Sequence, residues 1–122
     1  MPEEIERSYC WVMARRYGVE QMISSMRAID VPISEFSKRE DECANRFIEV
    51  GKKLVEDGAH VIWPSCMLLC PITVSAEWAT KKIGVPVIDE SAIAIEMAKL
   101  FIKGGISQSR KAYPKPEALP IE

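Results

Sequence analysis

A chain of 122 residues with 48% hydrophobic and 28% charged side chains is expected to form one compact domain that buries roughly two-thirds of its unfolded surface, and disorder is excluded. The formal net charge of −2 arises from interspersed acids and bases, which excludes the basic stripe that releases counterions from nucleic acid. No window approaches the ~18 apolar residues of a membrane span, and the acidic start MPEEIERSYC lacks a signal-peptide core, so a cytoplasmic protein without a membrane partner is expected. Lys103, Arg110, Lys111 and Lys115 give one mild basic tilt, read as a solvated tail.

Ile5, Tyr9, Val12, Met13 and Tyr17 recur at steps of three and four, which predicts a helix over residues 3–17 with one apolar face, stopped by Gly18. A turn follows at 19–25. Residues 26–33, MRAIDVPI, alternate as a strand does until Pro32. Ser37 and Glu40 match a capping box, so a long helix should follow with Cys43, Phe47, Val50, Leu54 and Val55 on one face and Asp57-Gly58 at its end. Strands are expected at 60–64 and 85–88, and helices at 72–83 and 91–103. Lys81-Lys82 and Gly84 close the first helix; Gly104-Gly105 stop the second, whose stripe is Ile93, Met97, Leu100 and Phe101. The remainder is expected to be extended.

Strands alternating with helices imply right-handed parallel crossovers, hence an α/β fold: a three-layer α/β/α sandwich with a small, mainly parallel sheet over residues 1–104, and a C-terminal tail over 105–122. Three strands with open edges make a poor monomer, so a homo-oligomer or a complementing second chain is expected.

The most informative segment is HVIWPSCMLLCP, residues 60–71, because an apolar run ends abruptly in Pro64-Ser65-Cys66. That would hold the Cys66 thiol at a strand end, where ligands bind in open α/β folds. Four cysteines without a secretion signal read as thiols.

GKKLVEDGAHVIWPSCMLL followed by KKIGVPVIDESAIAIEMAKLF resembles the C-terminal half of the aspartate/glutamate/hydantoin racemase superfamily, nearest its hydantoin racemase branch. MRAIDVPISEF is similar to an earlier strand of that family, and GISQSRKAYPKP to its closing segment. The resemblance implies a racemase-type protein that is independent of any cofactor and acts on a small molecule, an amino acid or a hydantoin-like derivative. Cys66 matches the second of the family's two catalytic cysteines. Two departures stand out. The N-terminal half that bears the first cysteine has no counterpart here, and Met67, Leu68 and Leu69 are bulky where the family has small residues.

Racemisation next to a carbonyl needs one group to remove the α-proton and another to return one on the opposite face. A helix starting near Ile72 would favour the Cys66 thiolate through its dipole. Ser65, Met67, Thr73 and Asp89 are the residues expected around the substrate, although Ser65, Thr73 and Ser75 are equally suited to capping helices and Asp89 is better suited to capping than to the crevice. Trp63 and Trp78 read either as core or as a wall for a planar ring.

Cys70 shares the loop with Cys66 and so approaches from the same side, which disqualifies it as the opposing acid. A C-x3-C pair with one distant histidine, His60, is too small a ligand set, so no metal is expected. Cys10 and Cys43 read as packing. Two alternatives remain open: a single-cysteine decarboxylase or isomerase of the same superfamily, or a non-catalytic half-domain serving as an oligomeric binding or structural subunit.

Overall fold

The computed structural model describes residues 3–114, in the order α1 (Glu3–Arg16), α2 (Glu40–Glu56), α3 (Ala76–Ile83) and α4 (Glu90–Lys103), joined by short 3-10 turns and extended segments. Two compact units divide the chain, Met1–Ser91 and Ala92–Glu122.

α1 ends as its sequence dictates. Arg15 and Arg16 occupy its last turn, where cations complement the helix dipole, and Gly18 adopts φ +70°, a left-handed conformation that costs glycine little. The expected apolar face is largely unburied where it is described: Tyr9, Val12 and Tyr17 are exposed and Ala14 is buried, while the Ile5 side chain lies outside the described residues.

α2 carries the core of the first unit. Cys43, Phe47 and Val50 are buried along one face, and Leu54 and Val55 pack beside them. Its end is closed by N–H groups of Gly58 and Ala59 reaching the carbonyls of Val55 and Leu54, with Gly58 at φ +98°. The predicted capping box does not form. Ser37 lies inside a 3-10 turn, Ile33–Lys38, and Arg39 precedes the helix with no side-chain cap. The Arg39 guanidinium instead pairs with Glu35 and Glu42, which holds the Glu42 carboxyl below the usual range.

α2 meets α3 at very short range. A Cβ added to Gly51 would lie 2.4 Å from Ile83 Cδ1, so only glycine lets the two helices approach this closely. Ala79 and Ile83 of α3 are buried in the same cluster as Phe47 and Val50.

The expected three-layer α/β sandwich is not formed: the chain is helical, and no strand or sheet occurs among the described residues. Two of the three expected strands touch through a single parallel bridge, Ile62 to Val87. Ile62 N–H donates to the Pro86 carbonyl at 2.8 Å, and Ile88 N–H donates to the Ile62 carbonyl at 2.9 Å. The next rung on one side needs an N–H from residue 64 and the next on the other an N–H from residue 86; both are prolines. The ladder therefore stops after one bridge in each direction. The third expected strand, 26–33, is interrupted by Asp30 at φ +56° and by Pro32. Ile29 and Val31 are nonetheless buried. Side chains tether this segment: Arg27 Nε and Nη2 donate to Asp57 at 2.7 and 3.0 Å, and Ser25 Oγ donates to the same carboxylate at 2.7 Å.

In the second unit, α4 is apolar on several sides rather than along one stripe, with Ile93, Ile95, Met97, Leu100 and Ile102 all exposed. Gly105 at φ +62° and Ile106 N–H bonded to the Phe101 carbonyl end it as expected. Lys103, Arg110 and Lys111 are exposed, in keeping with a solvated basic tilt. Lys115 and the rest of the tail beyond residue 114 lie outside the described residues. Among the described residues, no helix is long and apolar enough to cross a membrane.

Candidate functional site

The single bridge sets the geometry. Because Ile62 and Val87 run parallel, the two segments leave it in the same direction, one into Pro64-Ser65-Cys66 and the other into Asp89-Glu90-Ser91. Val87 is further fixed by its N–H donating to Thr80 Oγ1 of α3 at 2.9 Å. Ser91 Oγ lies 3.4 Å from Met67 Sδ, so the two departing segments meet again beyond the bridge.

Cys66 opens a tight turn. Its carbonyl accepts the N–H groups of both Leu69 and Cys70 at 3.0 Å, and Val74 N–H closes the turn on the Leu69 carbonyl at 2.8 Å. Cys66 is half-buried and packs against the core. Leu69 and Cys70 point into the core and anchor the turn, while Met67, Leu68 and Ile72 are exposed.

The helix expected from Ile72 begins later, at Ala76. Cys70 has extended backbone (φ −138°, ψ 123°), Val74 is also extended, and Ser75 caps the helix by accepting the Trp78 N–H at 3.3 Å. Cys66 thus sits before one irregular turn and not before a helix N-terminus, so the dipole of α3 is not aimed from the adjoining residue.

The other expected site residues divide. Ser65 is exposed. Thr73 Oγ1 donates to the Leu68 carbonyl at 2.6 Å and helps close the turn. Met67 is half exposed and touches Ser91. Asp89 is half-buried at the position just before α4. Sequence reasoning passed over Glu90, the first residue of α4, whose Oε1 is buried without a hydrogen-bond partner. Its only sequence signal was adjacency to Asp89 at the end of the GVPVIDE segment.

All four cysteines are thiols. Cys43 is fully buried and its thiol is pushed up, first by burial and then by the charge of Glu42. Cys70 is also fully buried and is pushed up to about 11, first by burial and then by the charges of Asp89 and Glu90. His60 and Trp63 are exposed, Trp63 at 62%; Trp78 is exposed at 39%. A shallow depression walled by Trp11, Val12, Arg15 and Glu20 shares no residue with this turn. Among the described residues, no group of three or more His, Cys, Asp or Glu side chains is placed to hold a metal ion.

Cys66 is thus a half-buried residue in the turn that follows one of two parallel segments, and the chain has a partial match to the racemase family. It is 33% identical over 108 residues to a hydantoin racemase of Rhizobium meliloti, a match covering 84% of this chain and 43% of the relative. It is 27% identical over 103 residues to a hydantoin racemase of Pseudomonas sp. strain NS671, covering 83% of this chain and 40% of the relative. The chain therefore spans less than half the length of the curated relatives it matches. No family model and no solved structure matches it.

Proposed function

We propose that this chain is a racemase-type protein that moves a proton at the α-carbon of an amino acid or hydantoin-like derivative, without a cofactor, using Cys66 as one acid/base. The observation that carries this reading is the similarity to hydantoin racemases over most of the chain. Cys66 supports it as a thiol left half-buried in a turn whose other cysteine is sealed in the core. As a thiolate it removes the α-proton; as a thiol it returns one.

The neighbouring groups suit a hydantoin ring, which offers both carbonyls and N–H groups. The exposed Ser65 hydroxyl donates to a carbonyl. Thr73 Oγ1 already donates to Leu68, which leaves its lone pairs to accept a ring N–H. Asp89 accepts another, and Met67 covers the apolar substituent. Residues 1–104 form the racemase-like portion on this reading, with 105–122 as a tail. Because the chain spans less than half of its relatives, further polypeptide completes the enclosure of substrate, from a second copy or from a complementing chain.

Polarimetry of an optically pure 5-substituted hydantoin with the 122-residue chain tests the reading. Rotation should decay faster than in buffer, and Cys66→Ser should remove that excess. Decay at the buffer rate, or an undiminished rate in the variant, would reject it.

A further inference from the structure

From Ala92 onward every residue of α4 is exposed, yet Glu96, Lys99 and Lys103 are the charged side chains of that stretch and the rest are apolar. A helix that is apolar over most of its circumference is ordinarily covered. We infer that α4 docks against α4 of a second copy of this chain, antiparallel about a two-fold axis. The inference concerns assembly: it names the surface through which a second copy adds to this chain, and it stands whether or not Cys66 moves a proton.

Spacing defines the seam. Ile93, Met97 and Leu100 stand at steps of four and three, the repeat that keeps one stripe facing a neighbouring helix, and the next position of that repeat is residue 104. Residue 104 is glycine, and Ile106 fills the gap. Gly105 at φ +62° turns the chain back, Ile106 N–H donates to the Phe101 carbonyl at 2.9 Å, and a Cβ added to Gly104 would lie 3.3 Å from Ile106 Cδ1. The stripe therefore runs through Ile93, Met97, Leu100 and Ile106, all of them exposed.

The flanks of the stripe single out a second copy as its cover. Glu96 and Lys103, seven residues apart, lie along one side, and Ala94 and Phe101, also seven apart, lie along the other. An identical helix turned antiparallel sets Met97 against Leu100 of the second copy and Ile93 against Ile106 of the second copy. On one flank Glu96 then stands opposite Lys103 of the second copy; on the other the Phe101 ring meets the small Ala94. Every pairing occurs twice, as an isologous contact requires. A parallel pair would lay the Glu96 flank against the Phe101 flank and lose both ion pairs. Glu96 already accepts from Lys99 Nζ at 2.7 Å, and a carboxylate accepts further bonds. Ile95 and Ile102 fall on the far side of the helix and take no part.

So few side chains make a seam smaller than the ~1,200 Å² at which stable interfaces begin, so association should depend on concentration. Sedimentation equilibrium of the full chain over roughly 10–500 µM should show reversible exchange between monomer and dimer. Met97→Asp places a charge in the seam and should weaken the dimer by about tenfold or more, whereas Ile102→Asp on the far side should leave it unchanged. Glu96→Lys and Lys103→Glu should each weaken it roughly 3–10-fold, and the two together should restore it. Circular dichroism of each variant checks that the helices persist. A monomer at every concentration would overturn the docking. So would a dimer indifferent to Met97→Asp or more sensitive to Ile102→Asp, or charge reversals that fail to compensate each other. None of these outcomes bears on the racemase reading, which polarimetry tests.

Discussion

The seam between α2 and α3 and the turn around Cys66 are held by different forces. Along the seam, buried side chains at helical spacing interlock, and Gly51 removes the Cβ that would strike Ile83. Around Cys66 there is no regular element. The turn bonds its own backbone, its buried residues Leu69 and Cys70 anchor it, and a few long-range links position its rim: the Ile62–Val87 bridge, the Val87 N–H to Thr80, and Met67 to Ser91. Close packing supplies a rigid floor. Half-buried Cys66 lies in the turn that begins just past Pro64, where the ladder stops.

Truncating the seam should have the largest effect. Phe47→Ala removes a buried ring and is expected to cost about 3–5 kcal/mol in denaturant unfolding. Trp63→Ala at the exposed rim should move stability by less than about 0.5 kcal/mol, and equal costs at both places would break the contrast.

The next effect is set by pH. Cys70 is pushed up from 9.0 to about 11 in the folded chain, so between those values the unfolded chain has lost a proton that the folded chain retains. Stability is therefore full below pH 9 and falls as pH rises to about 11, by at most about 3 kcal/mol. Cys70→Ala should flatten that alkaline slope, which urea titrations at several pH values would record.

Overpacking the seam comes third. Gly51→Ala should cost about 1–3 kcal/mol, and adding Ile83→Val, which deletes the Cδ1 atom 2.4 Å from the new methyl, should recover part of it. A smaller effect is expected at the link between the two regions. Thr80→Val strips the acceptor from the buried Val87 N–H, costs about 1–2 kcal/mol, and should speed hydrogen exchange at that amide more than at Phe47.

The helices were legible in the sequence because their signals are local. Gly18, Asp57-Gly58 and Gly104-Gly105 end α1, α2 and α4 where the side-chain periodicity stops. The sheet was misread because periodicity reports burial, not pairing: Ile29, Val31, Ile62 and Val87 are buried as strand residues would be, yet prolines and Asp30 prevent a ladder. The capping box failed because Arg39 offers Glu35 and Glu42 a charged partner, so the chain before α2 winds as a 3-10 turn through Ser37. At the candidate site, Pro64-Ser65-Cys66 marks where the extended segment stops, and the turn begins there. The burial of Glu90 Oε1 was not legible, since it is set by tertiary packing at the start of α4 that no local pattern encodes.

The role of the Cys66 thiol is open to one direct measurement: timed alkylation with iodoacetamide at neutral pH, with mass mapping of each cysteine alongside hydantoin racemisation. Cys66 should be modified well before the buried Cys43 and Cys70, activity should fall in proportion to Cys66 labelling, and added hydantoin should slow both. Full racemisation by protein whose Cys66 is completely alkylated would contradict its place in proton transfer.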